Sequence, residues 1–288
     1  MRVLIVGAWG MLGRKLTELL TADHDLTLTD SSPDAPCIWA DITDQESIST
    51  VVTDANPEVI VNCAAYTNVD ACEENAELAH AVNGTGPGNI ARAAEAVGAH
   101  LIHISTDYVF DGESARAYTE DDPTRPLSVY GRSKLEGEES VQEHCTKWSI
   151  LRTQWLFGEH GANFAETMIR LAGKNPTLRV VDDQFGTPTY TGDLSLQILA
   201  IMENGATGIF HTSCGGEASW FEFARAVLDR SGLQHIEVIP VTTSEFPRPA
   251  TRPARAILQN RALERSIGDS MRPWQQALDE YISRRSQS

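Results

Sequence analysis

Short apolar runs and longer stretches of helical period take turns along the first half of the chain. Val3-Leu4-Ile5-Val6 is the first run, and Arg14 to Leu20 follows with apolar residues at helical spacing. Leu26-Thr27-Leu28-Thr29-Asp30 reads as a second strand. A short third precedes Ala40-Asp41-Ile42, before a helix from about Asp44. Val59-Ile60-Val61-Asn62, set off by Asn56-Pro57, is the fourth. Leu101-Ile102-His103-Ile104 is the fifth and Trp148-Ser149-Ile150-Leu151-Arg152 the sixth. A long helix is predicted from about Glu74 to Val97, and another opens at Tyr130. This alternation predicts an α/β fold of Rossmann type, a doubly wound parallel sheet, forming a dinucleotide-binding domain over residues 1–152.

Beyond Thr153 the pattern becomes mixed. Helices are expected from Asn163 to about Ala172, Leu194 to Met202, Trp220 to about Ser231 and onward from Gln275, with a strand at Gly208-Ile209-Phe210-His211. Leu178-Arg179-Val180-Val181 is expected to rejoin the sheet, returning residues 176–204 to the first domain. No linker separates the halves, so residues 153–288 are expected to pack on the sheet as a smaller substrate-binding part.

The chemistry gathers where predicted strands end. Gly7, Gly10 and Gly13 stand between the first strand and its helix, with Trp9, Met11 and Leu12 among them. Glycines there let the backbone approach a pyrophosphate that free helix N–H groups can bind. The spacing, G-x-x-G-x-x-G, is that of extended short-chain dehydrogenase/reductases. Asp30 ends the second strand, where a carboxylate accepts from the adenosine ribose hydroxyls and repels a 2′-phosphate. NADH is therefore favoured over NADPH, although Arg14 could reach a phosphate. Asp41, with Ile42 beside it, suits either an adenine contact or a helix cap. Ala64 and Ala65, before Tyr66, leave room for a flat cofactor moiety. Tyr130 and Lys134, four apart, share a helix face, where an ammonium favours the phenolate. Thr106, at the end of the fifth strand, can hold a substrate oxygen while Tyr130 supplies its proton. Pro87 strips the Asn83 carbonyl of its i+4 partner, so a kink is expected. That kink either improves packing or lets Asn83 hold a water linked to Lys134, as an asparagine does in short-chain reductases.

Composition narrows the partners. The net charge of −17 opposes nonspecific nucleic-acid binding. No apolar run approaches the ~20 residues of a membrane span. The glycine-rich turn after Val6 reads better as a βα turn than as a cleavage site, so a cytoplasmic protein is expected. The five cysteines form no Cys-x-x-Cys pair, and no His/Cys cluster has zinc spacing. No metal is expected.

In sum of motifs, "VNCAAYTNVD", "STDYVFDG", "YGRSK", "LRTQWLFG", "NFAETM", "DQFGTPT" and "TRP", in this order after the glycine turn, the chain resembles the dTDP-4-dehydrorhamnose reductase family almost end to end. The resemblance implies hydride transfer from NADH or NADPH to the C4 keto group of a dTDP-4-dehydro-6-deoxy sugar. It gives Tyr130 the proton, Lys134 the nicotinamide ribose and Thr106 the keto oxygen. It places Val69, Asp107, Tyr108, Trp155, Asn163, Phe164, Gln184 and Arg252 on the substrate side, with Trp155 on sugar or base. Arg252, with Arg248 or Arg255, is the diphosphate candidate. Two positions depart from the family. Gln154 replaces a common serine. Lys15 stands where some members carry a glutamate that binds a dimer-bridging magnesium, so that bridge is not expected, although a homodimer remains open. Dehydratases of related sequence need Asp-Glu after the threonine, whereas Tyr108 follows Asp107 here. The rivals kept open are a reductase of another 4-keto-6-deoxysugar and a non-catalytic NAD(P)-binding subunit.

Overall fold

The computed structural model describes residues 1–285. The chain runs β1 (Arg2–Val6), α1 (Met11–Leu20), β2 (Asp25–Asp30), β3 (Ile38–Trp39), α2 (Gln45–Ala55), β4 (Val59–Asn62), α3 (Val69–Glu74) and α4 (Ala76–His80). A π-helical turn (Ala81–Thr85) leads into α5 (Gly86–Val97) and β5 (His100–Thr106). Then come α6 (Val129–His144), β6 (Trp148–Thr153), β7 (Leu156–Phe157), α7 (Phe164–Ala172), β8 (Thr177–Val181), β9 (Phe185–Gly186) and β10 (Thr189–Tyr190). The chain continues through α8 (Thr191–Asn204), β11 (Gly208–His211), β12 (Ala218–Ser219), α9 (Trp220–Arg230), β13 (Glu237–Val241), α10 (Arg261–Ser266) and α11 (Trp274–Arg285).

The central sheet has seven strands in the order β11-β6-β5-β4-β1-β2-β3, and every pairing is parallel. The order reverses direction beside β1, which opens a crevice at the carboxyl edge between β1 and β4. Alternate residues of β1 feed opposite cores. Val3 and Ile5 join the cluster that includes α1, α8, α9 and α11, while Leu4 and Val6 join the one beneath α2 and α5. Burial on both faces explains the unbroken apolar run.

Two expectations are corrected. Leu178–Val181 does not rejoin the central sheet. Strand β8 pairs in parallel with β13, from Thr177↔Glu237 to Val181↔Val241, and it is β11 that extends the central sheet beyond β6. The single helix expected from Glu74 to Val97 is broken. It begins where α3 ends, continues as the separate α4, and the π-helical turn at Ala81–Thr85 carries the chain into α5. Pro87 sits in the first turn of α5, where a missing N–H costs least. The widened turn leaves the Asn83 carbonyl facing Gly137 of α6. A Cβ at Gly137 would lie 2.1 Å from that oxygen, so only glycine allows the approach.

Candidate active site

The glycine turn builds the first wall. Gly7 has φ +77°, and a Cβ there would come within 2.6 Å of the Ala64 nitrogen. A Cβ at Gly13 would fall 2.2 Å from the Gly7 carbonyl, whereas at Gly10 its nearest neighbour is 3.3 Å away. Gly7 and Gly13 are thus demanded by the backbone, while Gly10 faces a cleft. The first intrahelical bond of α1 runs from Arg14 N–H to the Gly10 carbonyl. The amides of Met11 and Leu12 therefore have no intrahelical acceptor. The Leu12 side chain itself is buried in the core.

The cleft, of about 610 Å³, is lined by Gly7, Gly10, Asp30, Asp41, Ile42, Ala64 and Ala65 among others. These residues suit a dinucleotide: amides at a helix N-terminus, small walls, and carboxylates toward a ribose. Asp30 already accepts from the Trp9 amide at 3.0 Å and the Ser32 amide at 2.9 Å, which leaves each oxygen a further lone pair. Trp9 is exposed, with the Arg14 guanidinium 4.4 Å over its ring. Asp41 is not the cap of α2. Asp44 takes that role with Glu46 and Ser47, while Asp41 closes its own turn through Thr43.

Next to the cleft, β5 ends at Thr106 and α6 brings up Tyr130 and Lys134, all buried. The Thr106 hydroxyl neighbours the Tyr130 phenol. It also donates to Asp107 at 3.0 Å and accepts from the Tyr108 amide at 3.2 Å. Tyr108 meets Tyr130 edge to face, with ring centroids 5.4 Å apart. Lys134 Nζ donates to the Ile104 carbonyl at 2.6 Å. Burial pushes the Lys134 ammonium down to about 8, with Glu138 and Cys63 opposing it. The expected lowering of the Tyr130 value is reversed here. Burial pushes the phenol above its ordinary range, the neighbouring Thr106 hydroxyl works against that, and Asp107 adds to it. A phenol so placed stays protonated, as a proton donor must. Burial also raises Asp107 to about 7, against its hydrogen bonds from Thr106 and Tyr108.

Asn83 is fully buried, and its amide is engaged. Its oxygen accepts from the Tyr66 amide at 2.8 Å, and its nitrogen donates to the Tyr66 carbonyl at 3.0 Å and to Ser133 Oγ at 3.1 Å. It braces the Tyr66 loop against α6, and both its N–H groups are spent in doing so.

The substrate-side residues divide. Val69 opens α3 on the loop beyond Tyr66. Arg252 pairs with Asp70 through two 3.0 Å contacts, and Arg248 approaches the same carboxylate at 3.7 Å. Burial opposes ionisation of Asp70, but hydrogen bonds from Arg252 and Ala250 outweigh it and hold the carboxyl below its usual range. Two guanidiniums thus share one carboxylate. Arg255 is paired elsewhere, with Glu217 at 2.7 Å. Trp155, at φ +48°, stacks on Trp220 with centroids 3.5 Å apart and planes 9° apart, so one indole face is already covered. Phe164 packs on Trp220 as well. Asn163 caps α7 through Glu166 and donates to the Gly158 carbonyl at 2.9 Å. Gln184 donates to Thr243 at 3.0 Å. The amides of Asn163 and Gln184 therefore have structural partners. Lys15 lies between Glu159 at 3.3 Å and Glu18 at 3.5 Å.

Three features escaped the sequence reading. Asp70 and Trp220 lie far along the chain from the residues they meet, with no local signal. Glu138 had one: it follows Lys134 by four and so shares its helix face.

A doubly wound sheet with a dinucleotide cleft and a Thr-Tyr-Lys group at its carboxyl edge defines an extended short-chain dehydrogenase/reductase. Residues 1–287 match the family model described as RmlD substrate binding domain, and the chain belongs to that family. A dTDP-4-dehydrorhamnose reductase of Mycolicibacterium smegmatis is 41% identical, covering 98% of this chain and 85% of the relative. A dTDP-4-keto-6-deoxy-D-glucose reductase of Streptomyces niveus is 39% identical, covering 96% of this chain and 95% of the relative. The crystal structure of the Bacillus anthracis dTDP-4-dehydrorhamnose reductase in complex with NADP superposes with a TM-score of 0.94 at 38% identity, covering 98% and 99% of the two chains. Among the described residues, no helix is long and apolar enough to cross a membrane.

Proposed function

We propose that this chain reduces the C4 keto group of dTDP-4-dehydro-L-rhamnose to give dTDP-L-rhamnose. The observation that carries the reading is the grouping of buried Thr106, Tyr130 and Lys134 where β5 ends against α6, beside the glycine-lined cleft. A reduced nicotinamide bound in that cleft supplies the hydride. Thr106 and Tyr130 hold the keto oxygen, and Tyr130 delivers its phenolic proton to that oxygen as negative charge develops there. Lys134 holds the nicotinamide ribose and presents a positive charge to the phenol once Tyr130 has given up its proton. Arg252 and Arg248 receive the diphosphate, with Asp70 holding their guanidiniums in place. Asp107 and Tyr108 border the sugar.

NADH is the favoured cofactor. Asp30 lies in the cleft wall where a 2′-phosphate would meet a carboxylate. Asp30→Ala is expected to raise the NADPH-to-NADH ratio of kcat/KM by about tenfold or more, since one lost ion repulsion of 1.4 kcal/mol equals a factor of ten. The Streptomyces niveus relative supports a second reading, in which another nucleotide-linked 4-keto-6-deoxyhexose is reduced.

The test is coupled turnover. The 4-keto-L-sugar is generated in situ from dTDP-glucose by a dehydratase and an epimerase, and cofactor absorbance is followed with NADH and NADPH separately. Oxidation that requires every component, with dTDP-L-rhamnose as product, supports the reading. A different deoxysugar reassigns the substrate. Folded protein that binds cofactor without consuming it in any mixture overturns the reductase.

A further inference from the structure

One carboxylate lies beneath the catalytic residues and touches none of the reacting atoms. Glu138 is fully buried and stands one turn beyond Lys134, so Tyr130, Lys134 and Glu138 form a single inward stripe of α6. Its Oε1 accepts from Ser105 Oγ at 2.5 Å and from Arg152 Nε at 2.9 Å, and its Oε2 accepts from Arg152 Nη2 at 2.6 Å. Ser105 is the residue before Thr106, and Ser105 and Arg152 are register partners on β5 and β6. One side chain therefore ties the helix that carries Tyr130 and Lys134 to the strand that carries Thr106 and to the strand beside it. Arg152 is buried as well, with its guanidinium 5.2 Å over the Phe110 ring. An ion pair so deeply buried is a poor source of net stability compared with apolar packing. Its geometry is better suited to holding three elements in register.

We propose that Glu138 is a positioning residue for the reaction: it clamps α6 to β5 and β6, sets Thr106 opposite Tyr130, and supplies the countercharge that faces Lys134. The inference rests on the reductase reading above. The groups around Lys134 are Tyr130 and Glu138 on its own helix, Cys63 beyond β4 and His103 on β5. Burial and Lys134 hold the His103 imidazole well below its ordinary value, so it is neutral, and burial pushes the Cys63 thiol up to about 12. Glu138 is thus the anion of that set. Burial already lowers Lys134 to about 8 against Glu138, so removing the anion lowers it further.

Glu138→Gln keeps the shape and removes the charge. Displacing catalytic groups by a fraction of an ångström to one ångström costs up to about a hundredfold, and kcat is expected to fall on that scale with a smaller change in the sugar KM. The descending limb of the pH profile moves to lower pH. Glu138→Gln/Arg152→Met removes the orphaned cation too and serves if the single variant does not fold. Binding of NADH, followed by its fluorescence across pH, gives a readout that needs no sugar, because Lys134 holds the nicotinamide ribose. A folded variant with a lower melting temperature but unchanged kcat, pH limb and pH dependence of NADH binding overturns the proposal and leaves a purely structural pair. If the parent chain reduces no sugar, the reductase reading fails, and the NADH-binding limb alone decides for or against Glu138.

Discussion

Tyr130 and Asp107 flank Thr106, and burial drives both toward their protonated forms. For Tyr130 this keeps a proton available. Tyr130→Phe is expected to lower kcat by about 10²–10⁴-fold while NADH binding persists, which stopped-flow turnover and fluorescence titration together would check. Asp107 has a stability consequence. Its folded value of about 7 lies above the unfolded one, so folding favours the protonated carboxyl. That contribution is complete below about pH 4 and is lost as pH rises through 7. Asp107→Asn is therefore expected to gain roughly 2–4 kcal/mol relative to the parent at pH 8 and little near pH 4. Denaturant midpoints at the two pH values decide it, and equal effects at both would contradict it. At this scale the sequence revealed the residues whose chemistry depends on neighbours in the chain. Thr106, Tyr130 and Lys134 follow from a strand end and a helix spacing. The direction of the Tyr130 shift did not follow, because desolvation depends on what the fold stacks over the phenol. The partners of Gln184 and Arg252 were equally hidden, since Thr243 and Asp70 lie far along the chain, whereas Asn163 meets the nearby Gly158 and Glu166.

At the scale of elements, α6 sits closer to its neighbours than ordinary side chains permit. A Cβ at Gly131 would lie 2.3 Å from the Tyr108 carbonyl, and one at Gly137 would lie 2.1 Å from that of Asn83. Gly137→Ala must push α6 away from the π-helical turn. The expected cost is about 1–3 kcal/mol of stability, together with a fall in kcat, because the same helix carries Tyr130. Chemical unfolding and turnover on one preparation check both, and a stable, fully active variant would contradict the packing argument. Strands β1 and β4 were legible because burial on both faces forces unbroken apolar runs, and β5 and β6 because their buried segments are still largely apolar. Strand β8 misled although its burial alternates along the strand. Leu178-Arg179-Val180-Val181 has strand character, but nothing local to it specifies whether β6 or β13 lies alongside.

Across the whole molecule, one core joins the halves of the chain. Val3, Ile5 and Leu12 from the first strand and helix share a cluster with Phe223, Trp274 and Tyr281 from the last third. A division near residue 152 in the sequence is therefore not a division of the apolar interior. The chain is expected to unfold in one transition, with near- and far-ultraviolet dichroism coinciding along a denaturant series. Two separated transitions would show that the C-terminal part melts on its own. The acidic surface acts at the same scale. With a net charge of −17, self-repulsion opposes compaction, and moderate salt is expected to raise the melting temperature by screening it.

The Trp155–Trp220 stack gives the molecule an optical property of its own. Two indoles held 3.5 Å apart and almost parallel absorb as a coupled pair of chromophores. They join the loop after β6 to the start of α9. A split dichroic band in the indole region would accordingly serve as an unlabelled gauge of the distance between those segments. Titrating a nucleotide sugar while watching that band would show whether these two segments move when the site fills.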